Sequence, residues 1–151
     1  MTEAATNSFD WQSAVQRKRQ ENEVKTPQEW LLDHSFIESL QCGPTKRVNL
    51  IQIKAAQRSG LLTNKEIEIT EACTAVVLLE KLRQGSLSAL EVTTAFCKRA
   101  AIAQQLLSCL TEVLYAEALA RAKTLDEYFQ REGKVSGPLH GLPISVKVSN
   151  A

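Results

Sequence analysis

The sequence is poor in features that commonly betray a function. Aromatic residues fill only 5% of its 151 positions, so a base-stacking platform for nucleic acid is not expected. Neither charge sign is in excess: 18 Lys and Arg stand against 17 Asp and Glu, for a net charge of +1. That balance gives a polyanion or an anionic membrane surface no field to follow. Long apolar runs are missing too. The longest, Ala75 to Leu79, falls far short of the roughly 20 residues that cross a bilayer. The opening Met1-Thr2-Glu3-Ala4-Ala5-Thr6-Asn7 has no basic n-region and no apolar h-region, so a cytoplasmic location is expected. Cys42, Cys73, Cys97 and Cys109 form no Cys-x-x-Cys pair, and neither His34 nor His140 accompanies one. Zinc is therefore not expected, and reduced, mostly buried thiols are. A nucleophilic cysteine finds no neighbouring histidine or helix start to activate it. The six glycines never gather into a Gly/Ser-rich run.

What is present is ordinary for a globular chain: 44% hydrophobic and 23% charged residues. The length suffices for one domain with a core. Residues 1–9 read as a flexible tail and 10–151 as the folded part.

Helical signals dominate. Asp10 caps a helix carrying Trp11, Ala14, Val15 and Lys18 as a thin apolar stripe. Arg17-Lys18-Arg19 on it is too short for a basic patch and reads as a solvated face. Thr26, Pro27 and Glu29 form a capping box for a helix through Trp30 and Leu31, ending near His34. His34 is expected at a cap or in solvent rather than in catalysis. Residues 41–46 read as a linker and 49–59 as a helix stopped by Gly60. Thr63 and Glu66 make a second capping box, but the alternating Ile67-Glu68-Ile69-Thr70 suggests extended backbone. Ala75, Leu78, Leu79 and Leu82 repeat at helical spacing before Gly85. Ser88 and Glu91 open the longest helix, from Ala89 to about Leu107, with Leu90, Thr93, Thr94, Cys97, Ala100, Ala101 and Gln104 on one face. Residues 109–113 suggest a short strand. A last helix, 116–131, buries Leu119, Ala120, Ala122, Leu125 and Phe129, and Gly133 ends it.

The final stretch, Gly137 onward, reads GPLHGLPISVKVSNA. Pro138 and Pro143 fix φ and extend the residues before them. A stiff turning loop should therefore feed a strand in which Ile144, Val146 and Val148 face one way and Ser145 and Lys147 the other. A single strand leaves its backbone groups without partners, which sits badly with a complete sheet domain.

GPLHGLPISVK resembles the segment that opens the catalytic core of the amidase signature family, within its fungal acetamidase-like group. Leu61-Leu62-Thr63, Glu66-Ile67-Glu68-Ile69-Thr70-Glu71, Gly85-Ser86-Leu87-Ser88-Ala89-Leu90-Glu91 and Ala95-Phe96-Cys97-Lys98-Arg99-Ala100 extend the likeness from about Trp11 to Lys147. The resemblance implies an α+β class: a mainly helical N-terminal fragment of the family's α/β fold, with one terminal strand. It implies amide hydrolysis by a Ser–cis-Ser–Lys triad, no metal or organic cofactor, and a small-molecule amide as substrate. Lys147 matches the triad lysine, and is the one catalytic residue that can be carried over. The two serines belong to a Gly/Ser-rich segment that this sequence lacks, and neither Ser136, Ser145 nor Ser149 matches them. Where the family has Asp after the lysine, this chain has Val148. His140 has no triad role, and a loop-fixing hydrogen bond is expected of it. The chain by itself is thus expected to be inactive. A second reading is a helical interaction module whose apolar faces dock onto a protein partner, such as a full-length amidase.

Overall fold

Helices account for all regular structure in the computed structural model, which describes residues 10–40 and 48–147. In chain order they are α1 (Trp11–Lys25), a 3₁₀ turn (Gln28–Trp30), α2 (His34–Ser39), α3 (Ala55–Arg58), α4 (Asn64–Ile67), a π-helical turn (Glu68–Ala72), α5 (Ala75–Arg83), α6 (Ala89–Leu107) and α7 (Tyr115–Glu132). The expected tail at 1–9 and linker at 41–46 lie outside the described residues.

α6 is the central element and touches α3, α4, α7, the 3₁₀ turn and the π-helical turn. Its start is fixed by the expected box: Ser88 Oγ accepts from Glu91 N–H at 3.0 Å, and Glu91 Oε2 accepts from Ser88 N–H at 2.9 Å. Ala89, Val92 and Ala95 are fully buried. Their small size lets α7 approach closely, and they join Ile69, Leu78, Leu82, Leu87 and Ala122 in one cluster. Full burial of an aliphatic side chain such as Val92 contributes about 1.5–3 kcal/mol. A second cluster sets Trp30, Cys97, Ala101, Val113 and Tyr115 together, with Trp30 and Tyr115 edge to face at 5.5 Å. A third holds Leu32, Leu62 and Ile102. The buried surface of α6 is thus wider than the single face expected, because neighbours pack on more than one side.

Several expectations are corrected. The alternating residues 67–70 form the end of α4 and the start of the π-helical turn, not extended backbone. Ile69 is buried there, Thr70 Oγ1 donates to Glu66 O at 2.8 Å and Arg99 donates to Thr70 Oγ1 at 3.1 Å. Thr26 does not cap a downstream helix: its hydroxyl donates to Asn22 O at 2.9 Å, closing α1. The 3₁₀ turn that follows has no side-chain cap. Asn49 Oδ1 accepts from the N–H groups of Ile51 and Gln52, and Lys54 is left-handed at φ 52°. These confine the helix expected at 49–59 to α3. The stripe on α1 is largely exposed, with Trp11 at 62%. That helix holds on instead through buried Asn22, which donates to Thr111 O at 3.1 Å, and through Lys18 and Lys25, which pair with Glu112.

Neither expected strand forms among the described residues. Leu110 N–H donates to Gln104 Oε1 at 2.6 Å rather than to a neighbouring strand. Residues 144–147 belong to no strand, and Val148 lies outside the described part. The physical reason is the absence of a partner: a strand exists only where another edge takes its hydrogen bonds.

Candidate functional site

The motif loop is built from its hydrogen bonds upward. Gly133, left-handed at φ 64°, ends α7 by donating to Phe129 O. The chain then folds back on α5, α6 and α7. His140 N–H donates to Gly137 O and Leu142 N–H to Leu139 O, each at 3.2 Å, so residues 137–140 and 139–142 form two overlapping turns with Pro143 just beyond them. Gly141 is buried at φ +73°. A Cβ there would stand 2.8 Å from Ala89 Cβ and 3.1 Å from Leu82 Cδ2. Only a residue without a side chain lets this backbone lie on the first turn of α6.

His140 is buried beside Phe129, with ring centroids 6.1 Å apart. Its Nδ1 accepts from Ser136 N–H at 3.2 Å and lies 3.0 Å from Ser136 Oγ. A nitrogen that accepts from an N–H carries no proton, so the imidazole is neutral with its proton on Nε2. Burial pushes its pKa below 6.5; Asp126 opposes that and Arg121 adds to it.

Asp126 caps α6 from α7. Its two oxygens accept from Ala89 N–H at 2.7 Å and Leu90 N–H at 2.9 Å, where the helix dipole favours negative charge. An open groove of about 530 Å³ lies beside this contact, lined by Leu87, Lys123, Asp126, Phe129, Gln130 and His140 among others. Ser136, His140 and Asp126 do not make a Ser–His–Asp site. Both oxygens of Asp126 are taken by α6, and Nδ1 of His140 is already occupied by a backbone N–H.

Lys147 is exposed, six positions beyond Gly141. It makes no hydrogen bond or ion pair with another described residue. The loop thus fixes the chain leading to the lysine but does not bring the lysine to another candidate catalytic group. His34, exposed at the start of α2, faces Glu38 at 3.2 Å, consistent with the solvent role expected. Sequence reasoning missed Asp126. One acid among the polar positions of α7 carries no signal that it caps another helix. Among the described residues no three His, Cys, Asp or Glu side chains stand together as a metal would need, and no helix is long and apolar enough to cross a membrane.

Comparison with known proteins defines the class. The fold is similar to that of a solved fatty acid amide hydrolase at a TM-score of 0.69 and 31% identity, covering 88% of this chain and 22% of that one. The family model described as Amidase matches residues 91–150. The chain belongs to the amidase family. Two fungal relatives are similar to this chain. An amidase of Gibberella moniliformis is 45% identical over 138 residues, 91% of this chain and 25% of its own length. An acetamidase of Emericella nidulans is 54% identical over 91 residues, 60% of this chain and 16% of its own. The chain spans about a quarter or less of the length of the curated relatives it matches, their N-terminal portion. The helices described above are therefore the helical part of an amidase fold.

Proposed function

We propose that this chain supplies the lysine-bearing opening of an amide-hydrolysing site, with Lys147 as the base of a Ser–cis-Ser–Lys triad. The carrying observation is its place in the chain: Lys147 lies just past a loop seated on α6 at Gly141 and closed on itself by His140, inside the segment that matches the family. A neutral lysine amine draws a proton through the middle serine from the nucleophilic serine. The serine oxygen then attacks the amide carbonyl, the amine leaves with that proton, and water hydrolyses the acyl-enzyme. A lysine is neutral near pH 7 only when desolvated. Lys147 is exposed here, so the remainder of an amidase must cover it. These 151 residues alone, without a Gly/Ser-rich run, do not hydrolyse amides in this reading. The substrate is a small amide, in keeping with the acetamidase among the relatives. A cytoplasmic location accords with the free Cys73, Cys97 and Cys109.

The test is co-expression of the chain with the remaining three quarters of the Gibberella moniliformis amidase, followed by assay of acetamide and an aryl amide. The pair should hydrolyse and the chain alone should not. Lys147→Ala should lower kcat of the pair by about 10⁴-fold, as for other members of a catalytic unit. Turnover by the chain alone, or an undiminished Lys147→Ala pair, would overturn the reading.

One observation favours a second reading, a module that docks onto a protein partner. Val76, Leu139, Ile144 and Val146 are 60–76% exposed, more apolar surface than an isolated helical chain needs. A stable complex with no hydrolysis by any pairing would select it.

A further inference from the structure

Lys147 has no anchor among the described residues, so its position is inherited from the loop before it. Three restraints hold that loop. The turn bonds fix its curvature, Gly141 fixes its depth against Ala89 and Leu82, and His140 ties its start to its end through Ser136. The first two involve backbone and packing and do not respond to pH. The third depends on a lone pair at Nδ1, which one proton abolishes.

We propose that His140 is a positioning residue: as a neutral imidazole it clasps Ser136, closes the loop over residues 136–141, and thereby sets where Lys147 is presented. The inference rests on the catalytic reading of Lys147 given above. Protonation would turn Nδ1 into a donor facing another donor, and would add charge where desolvation disfavours it. Asp126 and Arg121 on α7 act on the charge of the ring; Lys123 and Glu127 on α7 line the same groove as His140, and Arg83 on α5 lines a second, smaller pocket with it. α6 contributes none, only Ala89 and Leu90 with their capped N–H groups. Asp126 would favour the imidazolium, but its oxygens already serve α6. The basic groups oppose protonation.

The sign follows from the folded imidazole's preference for the neutral form. Its contribution is fully present above 6.5, the ordinary value, and is lost as pH falls from there through the lower folded value. The clasp should be closed at pH 7.5 and open in acid.

Two substitutions separate the clasp from simple bulk. His140→Asn sets Oδ1 close to where Nδ1 stands, an acceptor that does not titrate. His140→Phe fills the space without an acceptor. In the 151-residue chain, the hydrogen-exchange protection of the Ser136 amide is measured at pH 7.5 and 5.0 and corrected for intrinsic rates. Wild type should lose about fivefold in protection once the pH is below the lowered folded value of His140, the equivalent of one ordinary hydrogen bond. His140→Asn should stay protected at both, and His140→Phe at neither. In the reconstituted pair, His140→Phe should lower kcat with KM little changed, whereas His140→Asn should restore kcat and move the acid limb of its pH profile. Equal Ser136 protection in wild type and His140→Phe overturns the clasp. A lost clasp with unchanged kcat overturns its positioning role. An active Lys147→Ala pair overturns the catalytic reading instead, and is told apart because the Ser136 exchange needs no activity.

Discussion

Gly141→Ala tests how the motif loop is seated. Two costs arise. The residue is left-handed at φ +73°, which an L side chain resists by about 1–2 kcal/mol. The new methyl would also sit 2.8 Å from Ala89 Cβ, 3.1 Å from Leu82 Cδ2 and 3.2 Å from Ala89 Cα. Ala89 is fully buried at the start of α6, so its backbone cannot withdraw without disturbing the helix that organises the core. Overpacking of that kind costs about 1–3 kcal/mol. Gly133→Ala supplies the comparison, because Gly133 is left-handed at φ +64° with nothing within 4 Å of the added Cβ. It bears the backbone cost alone. The gain from a stiffer unfolded chain is common to both alanines and cancels in their difference. Equilibrium urea unfolding of the chain should therefore place Gly141→Ala about 1–3 kcal/mol below Gly133→Ala, a midpoint difference of about 1 M. Equal midpoints would refute the claim that the loop lies hard against α6.

Other substitutions probe the remaining joints by the same unfolding measurement. Gln105 accepts from Leu32 N–H at 2.8 Å and donates to Trp30 O at 2.9 Å. Gln105→Ala strands both backbone groups and should cost about 2–3 kcal/mol, and a loss under 0.5 kcal/mol would show that water replaces the side chain. Asp126→Ala removes both acceptors from the first turn of α6 and should cost about 1–3 kcal/mol, falling short of that if Ser88 alone suffices as a cap.

The helices were legible where local chemistry decides them. Ser88 with Glu91 and Thr63 with Glu66 are self-contained boxes whose bonds close within four residues, and their positions were read correctly. So were the stops at Gly85 and Gly133. What local pattern could not show is competition between neighbours. Thr26 is both a plausible N-cap and a plausible helix end, and Asn22 O, one turn back, took it. Ile67 and Ile69 alternate like a strand, yet a π-helical turn buries Ile69 against the core while Ile67 packs on the Leu62 cluster. At the candidate site, the glycines, prolines and His140 carried their meaning in sequence. Asp126 did not, because its role depends on α6, 36 positions away. The terminal strand is a different case. Its pattern is present in Ile144 and Val146, but a strand is a property of two segments, and the described residues supply one.

Residues 144–147 carry a further consequence. They form an arm with two β-branched residues, Ile144 75% and Val146 74% exposed, and no ladder among the described residues takes their backbone groups. Unsatisfied edges of this type recruit like edges from other molecules, and the product is self-association. The sequence contains its own brakes. Pro143, just before the arm, removes a donor, and Lys147 adds a charge that stacked copies would have to bring together. These gatekeepers flank the apolar pair at both ends, so the residue proposed as a catalytic base also limits the stickiness of the arm that carries it.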